Sequence, residues 1–471
     1  MKKPLILLLA TATALTIAFV SLFDLGALLH SKRQQNDQLL EQQLAEHIGT
    51  LAYLYGYPLV DAYQQRHNET HRLDSEQQVY APINRLYRYP HLVTPATAGN
   101  LRAANNDTLY YTGWYDISEE PLIIHTPDTA GRYFTIAVTN SYSEVVHIGR
   151  RTHGTAENYY ALVTPQWRGA LPDGVTAITS ETPTGWLLGR MLVNGPDDFP
   201  AAKALVDNVW LAGLSEFSIG QRPAATAEKR ATALDVRRSL DFFEVFNAVL
   251  KTLPPRATET ALMAQFDSIG IGPQQDFDSD ALSEAHQHGL LSAIENGYAL
   301  VAAGNQKTIP DYNGWMISQK IGRYGYDYAH RASVVKGGYG NLPEESLYPA
   351  TFSDSDDQLL HGKHRYRIHF PAGQLPPVDG FWSLSVYNLD QNVTLAENAI
   401  QRYSIGDRSE TLRFNDDGSL TLWLQQRAPK NTDNWLPTPD GPFLAVMRLY
   451  EPSAAALSNH YHLPRIERLD P

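Results

Sequence analysis

Residues 105–154 read NNDTLYYTGWYDISEEPLIIHTPDTAGRYFTIAVTNSYSEVVHIGRRTHG. The run breaks into four or five short apolar segments, each closed by a turn signal, which is the pattern of an antiparallel sheet. Alternation is clearest over Arg132–Thr139, where Phe134, Ile136 and Val138 share one face and Tyr133, Thr135 and Ala137 the other. Arg132 falls on the Phe134 face. Asn105, Asn106, Asp107, Arg150 and Arg151 are likewise residues that a purely structural sheet would not choose.

Working outward, Trp186–Val193 repeats the theme, with Arg190 on the face of Trp186, Leu188 and Leu192. A second sheet region starts near Leu347. In it Tyr366, Ile368 and Phe370 alternate with Arg365, Arg367 and His369, and Leu420, Leu422 and Leu424 with Thr421 and Trp423. Phe443–Tyr450 is apolar on both faces and places Arg448 beside Leu444, Val446 and Tyr450. Between the two regions, periodicity of three to four residues predicts helices over Pro200–Phe217, Ala231–Leu253, Glu259–Ser268, Asp280–Ala303 and Ile321–Val335. Ahead of the first region a helix is expected from Asp37 to about Ala62, with Gly56 and Pro58 as its first breakers.

These patterns predict a mainly β chain with α insertions. Its expected parts are an N-terminal membrane segment (1–33), an N-terminal helix with the first β-sandwich (34–195), a helical connection (196–346) and a second β-sandwich (347–471). A length of 471 residues suits two cores with an accessory region. Lys2 and Lys3 precede an apolar run over residues 4–23, long enough to cross a hydrocarbon core of roughly 30 Å. Ala12-Thr13-Ala14 is the rival signal-peptide cleavage site, but the apolar run continues to Phe23. The expectation is a single-pass inner-membrane anchor with the body in the periplasm or exterior, or a secreted or periplasmic protein if the segment is cleaved.

A formal charge of −13 argues against nucleic acid, whose phosphates need clustered Lys and Arg. The absence of cysteine excludes disulfides, thiolate metal sites and cysteine nucleophiles. Nucleotide, serine-hydrolase and zinc-protease motifs are missing, so no cofactor and no metal is expected. The sixteen histidines form only loose groups, such as His125, His147 and His153, or His361, His364 and His369. Carboxylates including Asp107, Asp116 and Glu144 single out no catalytic pair. Arginines on apolar strand faces remain: each pairs internally or lines a pocket for a carboxylate, phosphate or sulfate.

Longer motifs carry a resemblance. Asn105-Asn106-Asp107-Thr108-Leu109-Tyr110, Arg132-Tyr133, Gly149-Arg150-Arg151-Thr152 and Pro183-Thr184-x-Trp186 with Gly189-Arg190 resemble the domain of unknown function 1254. Arg402-Tyr403-Ser404-Ile405-Gly406-Asp407, Asn434-Trp435-Leu436-Pro437 and Arg448-Leu449-Tyr450 resemble its usual partner, domain 1214. The chain departs from the family at Ala104, where Pro is common, and after Pro452, where it reads Leu457-Ser458-Asn459-His460. The resemblance implies two jelly-roll-like antiparallel β-sandwiches and no settled activity. The functional expectation is a membrane-anchored envelope protein that binds, with or without transforming it, a small polar or anionic compound in an Arg/Asn-lined cleft. Its candidate ligand residues are Asn105, Asn106, Asp107, Tyr110, Arg132, Arg150, Arg151, Arg190 and Arg448. A glycan- or amide-directed hydrolase and a structural module of the envelope are the alternatives.

Overall fold

The computed structural model describes residues 3–75, 78–98, 101–218, 220, 228–253, 255–304, 309–389 and 393–469, with side chains from residue 28 onward. Its contacts divide the chain into two units, 1–56 with 236–299 and 57–235 with 300–471. The expected boundaries at 33, 195 and 346 therefore give way to units built from non-adjacent stretches.

The first unit is helical. A helix over Lys3–Thr70 supplies its residues up to 56, and Asp241–Thr252, Thr260–Asp267 and Glu284–Ala303 supply the rest. The Phe242, Phe243, Phe246 and Leu250 stripe is buried, as its spacing requires. Tyr53 stacks on Phe242 with centroids 4.3 Å apart, and Tyr55 meets Phe266 edge-on at 5.9 Å. At Gly49 an added Cβ would come within 2.9 Å of the Ala293 Cβ, so glycine is what lets these helices approach. The long helix does not stop at Gly56 or Pro58. Pro58 forfeits one backbone hydrogen bond, yet the residues on both sides of it are buried and packing outweighs the lost bond. The expected membrane segment over residues 4–23 lies outside the residues whose side chains are described. Among the described residues no helix is long and apolar enough to cross a membrane.

The second unit is mostly β, with several antiparallel sheets and some helices. One sheet has five strands in the order Tyr87–Arg88, Thr108–Asp116, Thr184–Leu192, Phe134–Asn140, Val145–Gly149. A four-stranded sheet runs Val175–Thr179, Asn158–Val163, Leu122–Thr126, Trp210–Gly213. The two bury one core, to which Leu109, Trp114 and Ile136 come from the first and Ile124, Tyr160 and Leu211 from the second. The same arrangement recurs downstream. Strands Val378–Asn388 and Phe443–Pro452 centre a seven-stranded sheet, and Tyr366–Phe370 with Leu420–Leu424 a four-stranded one. Trp382, Leu384 and Met447 of the former share a core with Ile368, Leu422 and Leu424 of the latter.

Several local expectations change. Each four-stranded sheet ends in a parallel pair, Asn158–Val163 with Val175–Thr179 and Leu420–Leu424 with Trp435–Leu436. The helix expected over Pro200–Phe217 stops at Asp207, and Trp210–Gly213 joins a sheet beside Leu122–Thr126. Its apolar residues fit either period, and an open sheet edge decides between them. Helix in the region 231–253 starts only at Asp241, and in 321–335 only at Tyr328. Residues 311–316, expected within the helical connection, form two short strands on the seven-stranded sheet.

Candidate functional site

Arg190 projects from the strand Thr184–Leu192, directly opposite Tyr110 in the neighbouring strand. Its Nη1 donates to the Asn341 Oδ1 at 2.9 Å, and its Nε, though buried, has no partner among the described residues. The guanidinium lies 5.4 Å from the centre of the Tyr110 ring. Arg448, on Phe443–Pro452, donates through Nη2 to the Ala103 carbonyl at 2.8 Å and to the Tyr387 hydroxyl. Its Nη1 is also buried, without a partner among the described residues. Neither arginine forms an ion pair among the described residues. Two buried cations without a counter-ion are costly, because burial strips hydration that only a nearby acceptor can replace.

Three phenols surround them. The Asn105 backbone N–H donates to the Tyr110 hydroxyl at 3.2 Å, and the Asn105 Nδ2 donates to that of Tyr450. The Asn341 N–H donates to the Tyr348 hydroxyl at 3.4 Å. Each of these oxygens thus accepts, and its own proton has no acceptor among the described residues. Asn105 is held for this task. Its Oδ1 accepts from the Asp107 N–H and the Thr108 N–H, both at 3.1 Å, which leaves Nδ2 aimed at Tyr450.

Burial pushes the Tyr450 hydroxyl well above the usual phenol range, reinforced by Tyr348 and Tyr110 and opposed by Arg448 and Arg190. For Arg190, burial pulls the pKa down, but Tyr110, Tyr348, Tyr450 and Tyr133 outweigh it and the net direction is upward. Arg448 behaves alike: burial lowers, while Tyr387, Tyr450, Tyr110 and Asp107 raise, and the sum is a rise. At neutral pH the two arginines are therefore charged and the Tyr450 hydroxyl keeps its proton, so all three groups have hydrogens to donate.

These groups line a cavity of about 230 Å³. Leu188, Val446, Ala350, Ile321 and Val334 form its apolar walls, and Arg102 stands at its edge. Arg102 is satisfied, pairing with Asp61 at 3.2 Å and donating to the Val335 and Lys336 carbonyls. No carboxylate, histidine or lysine is among the described lining residues.

Of the residues singled out in the sequence, Asn105, Tyr110, Arg190 and Arg448 meet in this cavity and the rest do not. Arg132 forks onto Asp198, with Nη2–Oδ1 at 2.6 Å, and this pairing pulls the Asp198 carboxyl below its usual range. Arg150 grips Glu451 and the Asp379 carbonyl. Arg151 donates at 2.8 Å to Glu345, which also receives the Tyr133 hydroxyl. Asp107 takes Arg408 at 3.0 Å and the hydroxyls of Ser383 and Ser404. Asn106 donates to the Val93 carbonyl.

The histidines disperse: His125 contacts Asn208 and Glu157, while His147 contacts Thr135 and Leu342. Among the described residues no group of three His, Cys, Asp or Glu is placed to hold a metal. Sequence reading passed over Tyr348, Tyr450 and Asn341 as site residues. Tyr450 stands in the motif Arg448-Leu449-Tyr450, whereas Asn341, just after Gly337-Gly338-Tyr339-Gly340, carries no signal of its own.

Residues 83–212 match the model described as protein of unknown function DUF1254, and residues 345–454 the one described as protein of unknown function DUF1214. The chain belongs to the family that joins these two domains. Asn105, Tyr110 and Arg190 lie in the DUF1254 region and Tyr348, Arg448 and Tyr450 in the DUF1214 region, so both contribute to the cavity. No curated protein matches the chain. Among solved structures it is similar to the VPA0106 protein from Vibrio parahaemolyticus, at 25% identity and a TM-score of 0.67, covering 91% of this chain and 100% of that one. It also aligns with an uncharacterized protein from Burkholderia cenocepacia at 12% identity and a TM-score of 0.42, over 93% of this chain and 96% of that one.

Proposed function

We propose that this chain binds a small organic anion in the cavity between Arg190 and Arg448. The observation that carries the reading is the pair of buried guanidinium groups that line the cavity and hold no carboxylate among the described residues. An architectural arginine is expected to be satisfied, as Arg132, Arg150 and Arg151 are, so the contrast favours a site over a structural role. The described lining offers no carboxylate or histidine to act as a general base. This favours binding over hydrolysis by a carboxylate pair. We read the two pairs of sheets as jelly-roll-like sandwiches and residues 4–23 as a membrane tether, with the folded body on the non-cytoplasmic side.

The test is thermal stability of the chain with acetate, succinate, phosphate and sulfate, in wild type, Arg190→Met and Arg448→Met. A ligand at one hundred times its Kd adds about 2.7 kcal/mol to wild-type stability. Wild type is expected to respond to at least one anion and both variants to lose that response. No response to any organic anion, or a response in both variants as large as in wild type, defeats the reading.

A further inference from the structure

We infer that the anion is a small monocarboxylic acid with a compact apolar body of about one ring, its carboxylate between Arg190 and Arg448 and its body against Leu188 and Val446. This rests on the reading of the cavity as an anion site and adds the class of ligand. The two facing strands are graded in the same sense. Arg190 and Leu188 are two residues apart and so share a face, with their positions separated by about 7 Å. Tyr450, Arg448 and Val446 follow the same rule on the other strand, and Ala350 sits opposite Val446. Asn105 bonds both Tyr110, the cross-strand neighbour of Arg190, and Tyr450, which brings the two polar ends together. Leu188, Val446 and Ala350 then form the opposite end of the same cavity.

The head group follows from the unused donors. A carboxylate has two oxygens with about four acceptor sites. Arg190 and Arg448 line the cavity with guanidinium groups that no carboxylate holds among the described residues, and the hydroxyls of Tyr110, Tyr348 and Tyr450 add further donors. Asp107 already attracts Arg448 through space, so one added negative charge suits the pair better than two. The body follows from volume. An apolar cavity of about 150 Å³ takes benzene. The 230 Å³ found here leaves room beyond a ring for a carboxylate and a linking carbon or two.

Titration calorimetry of the full chain with benzoate, phenylacetate and cyclohexanecarboxylate, against acetate, phosphate and benzyl alcohol, tests this. At least one ring acid is expected to bind tenfold or more tighter than acetate, and benzyl alcohol not to bind. Arg448→Met should lose every acid, while Val446→Phe, which fills the apolar end, should lose the ring acids and keep acetate. If Val446→Phe fails to fold, Ala350→Leu blocks the same end from the neighbouring strand. Acetate or phosphate binding as tightly as the ring acids overturns the inference and leaves the anion site standing. So do ring acids that bind a folded blocked variant as they bind wild type. If no anion binds at all, both readings fall.

Discussion

A guanidinium that neutralises a buried carboxylate and a buried guanidinium that lacks one respond oppositely to removal. Arg151 is bonded to Glu345, whose side chain is 1% exposed. Arg151→Ala leaves that carboxylate with Tyr133 as its remaining side-chain donor, and a loss of about 3 kcal/mol is expected in urea denaturation. Arg190→Met removes a charge that no acid balances and fills the space with methylenes. Its stability should stay within about 1 kcal/mol of wild type, or rise, because replacing an uncompensated buried ion by an apolar side chain relieves desolvation. A loss as large as that of Arg151→Ala would place Arg190 with the architectural group. His147 offers a pH test beside the same arginine. Burial, and then Arg190, Arg151 and Arg323, hold its pKa well below the ordinary value. The unfolded chain takes up a proton below about pH 6.5 while the folded chain does not, so stability is fully present above that pH and falls as pH drops below it. The slope from this residue is at most about 1.4 kcal/mol per pH unit. His147→Gln, which can still accept the Leu342 N–H, should flatten the melting-temperature profile between pH 5 and 6.5. An unchanged profile would show that His147 titrates normally.

At the scale of elements, the strand carrying Arg190 owes its placement to glycine as much as to its apolar residues. Gly189 lies opposite Tyr111, and a Cβ added there would fall 2.0 Å from the Tyr111 ring. Gly185 stands likewise opposite Tyr115. The rings cover the glycines and fix the register that sets Arg190 opposite Tyr110. Gly189→Ala forces the buried Tyr111 aside, and overpacking of this kind costs about 1–3 kcal/mol. The expected outcome is a lower urea midpoint with an unchanged m-value. A variant as stable as wild type would mean that the ring has somewhere to go. The strands themselves were readable, because period-two alternation at Phe134–Val138 or Tyr366–Phe370 has no helical equivalent. Trp210–Gly213 was not: four apolar residues after a helix carry no period, and only the open edge beside Leu122–Thr126 makes them a strand. The site was readable by half for a similar reason. Alternation places Arg132, Arg190 and Arg448 on apolar faces, but whether Asp198 or nothing waits opposite depends on chain that is distant in sequence.

At the scale of the whole molecule, the chain order and the units do not coincide, since 1–56 and 236–299 form one unit and 57–235 with 300–471 the other. A local reading of helical and sheet regions therefore finds the elements and misses their grouping, which the buried Tyr53, Phe242 and Leu290 decide through contacts far apart in sequence. The proposed membrane tether belongs to this scale as well. Residues 4–23 are apolar without a charged residue, and a helix of that length rises about 30 Å, the thickness of a hydrocarbon core. Lys2 and Lys3 would hold the start of such a helix on the cytoplasmic side. A cleaved leader would give a shorter apolar stretch followed by polar chain, whereas here Ala14 is followed by LTIAFVSLF. The expected outcome is that the full chain stays with membranes after a carbonate wash and that its intact mass includes the first residues. Deletion of residues 1–33 should release it, and ligand binding should survive, because the residues that line the cavity begin at Leu101. A native N-terminus between residues 13 and 30 would turn the segment into a leader and leave the body unanchored.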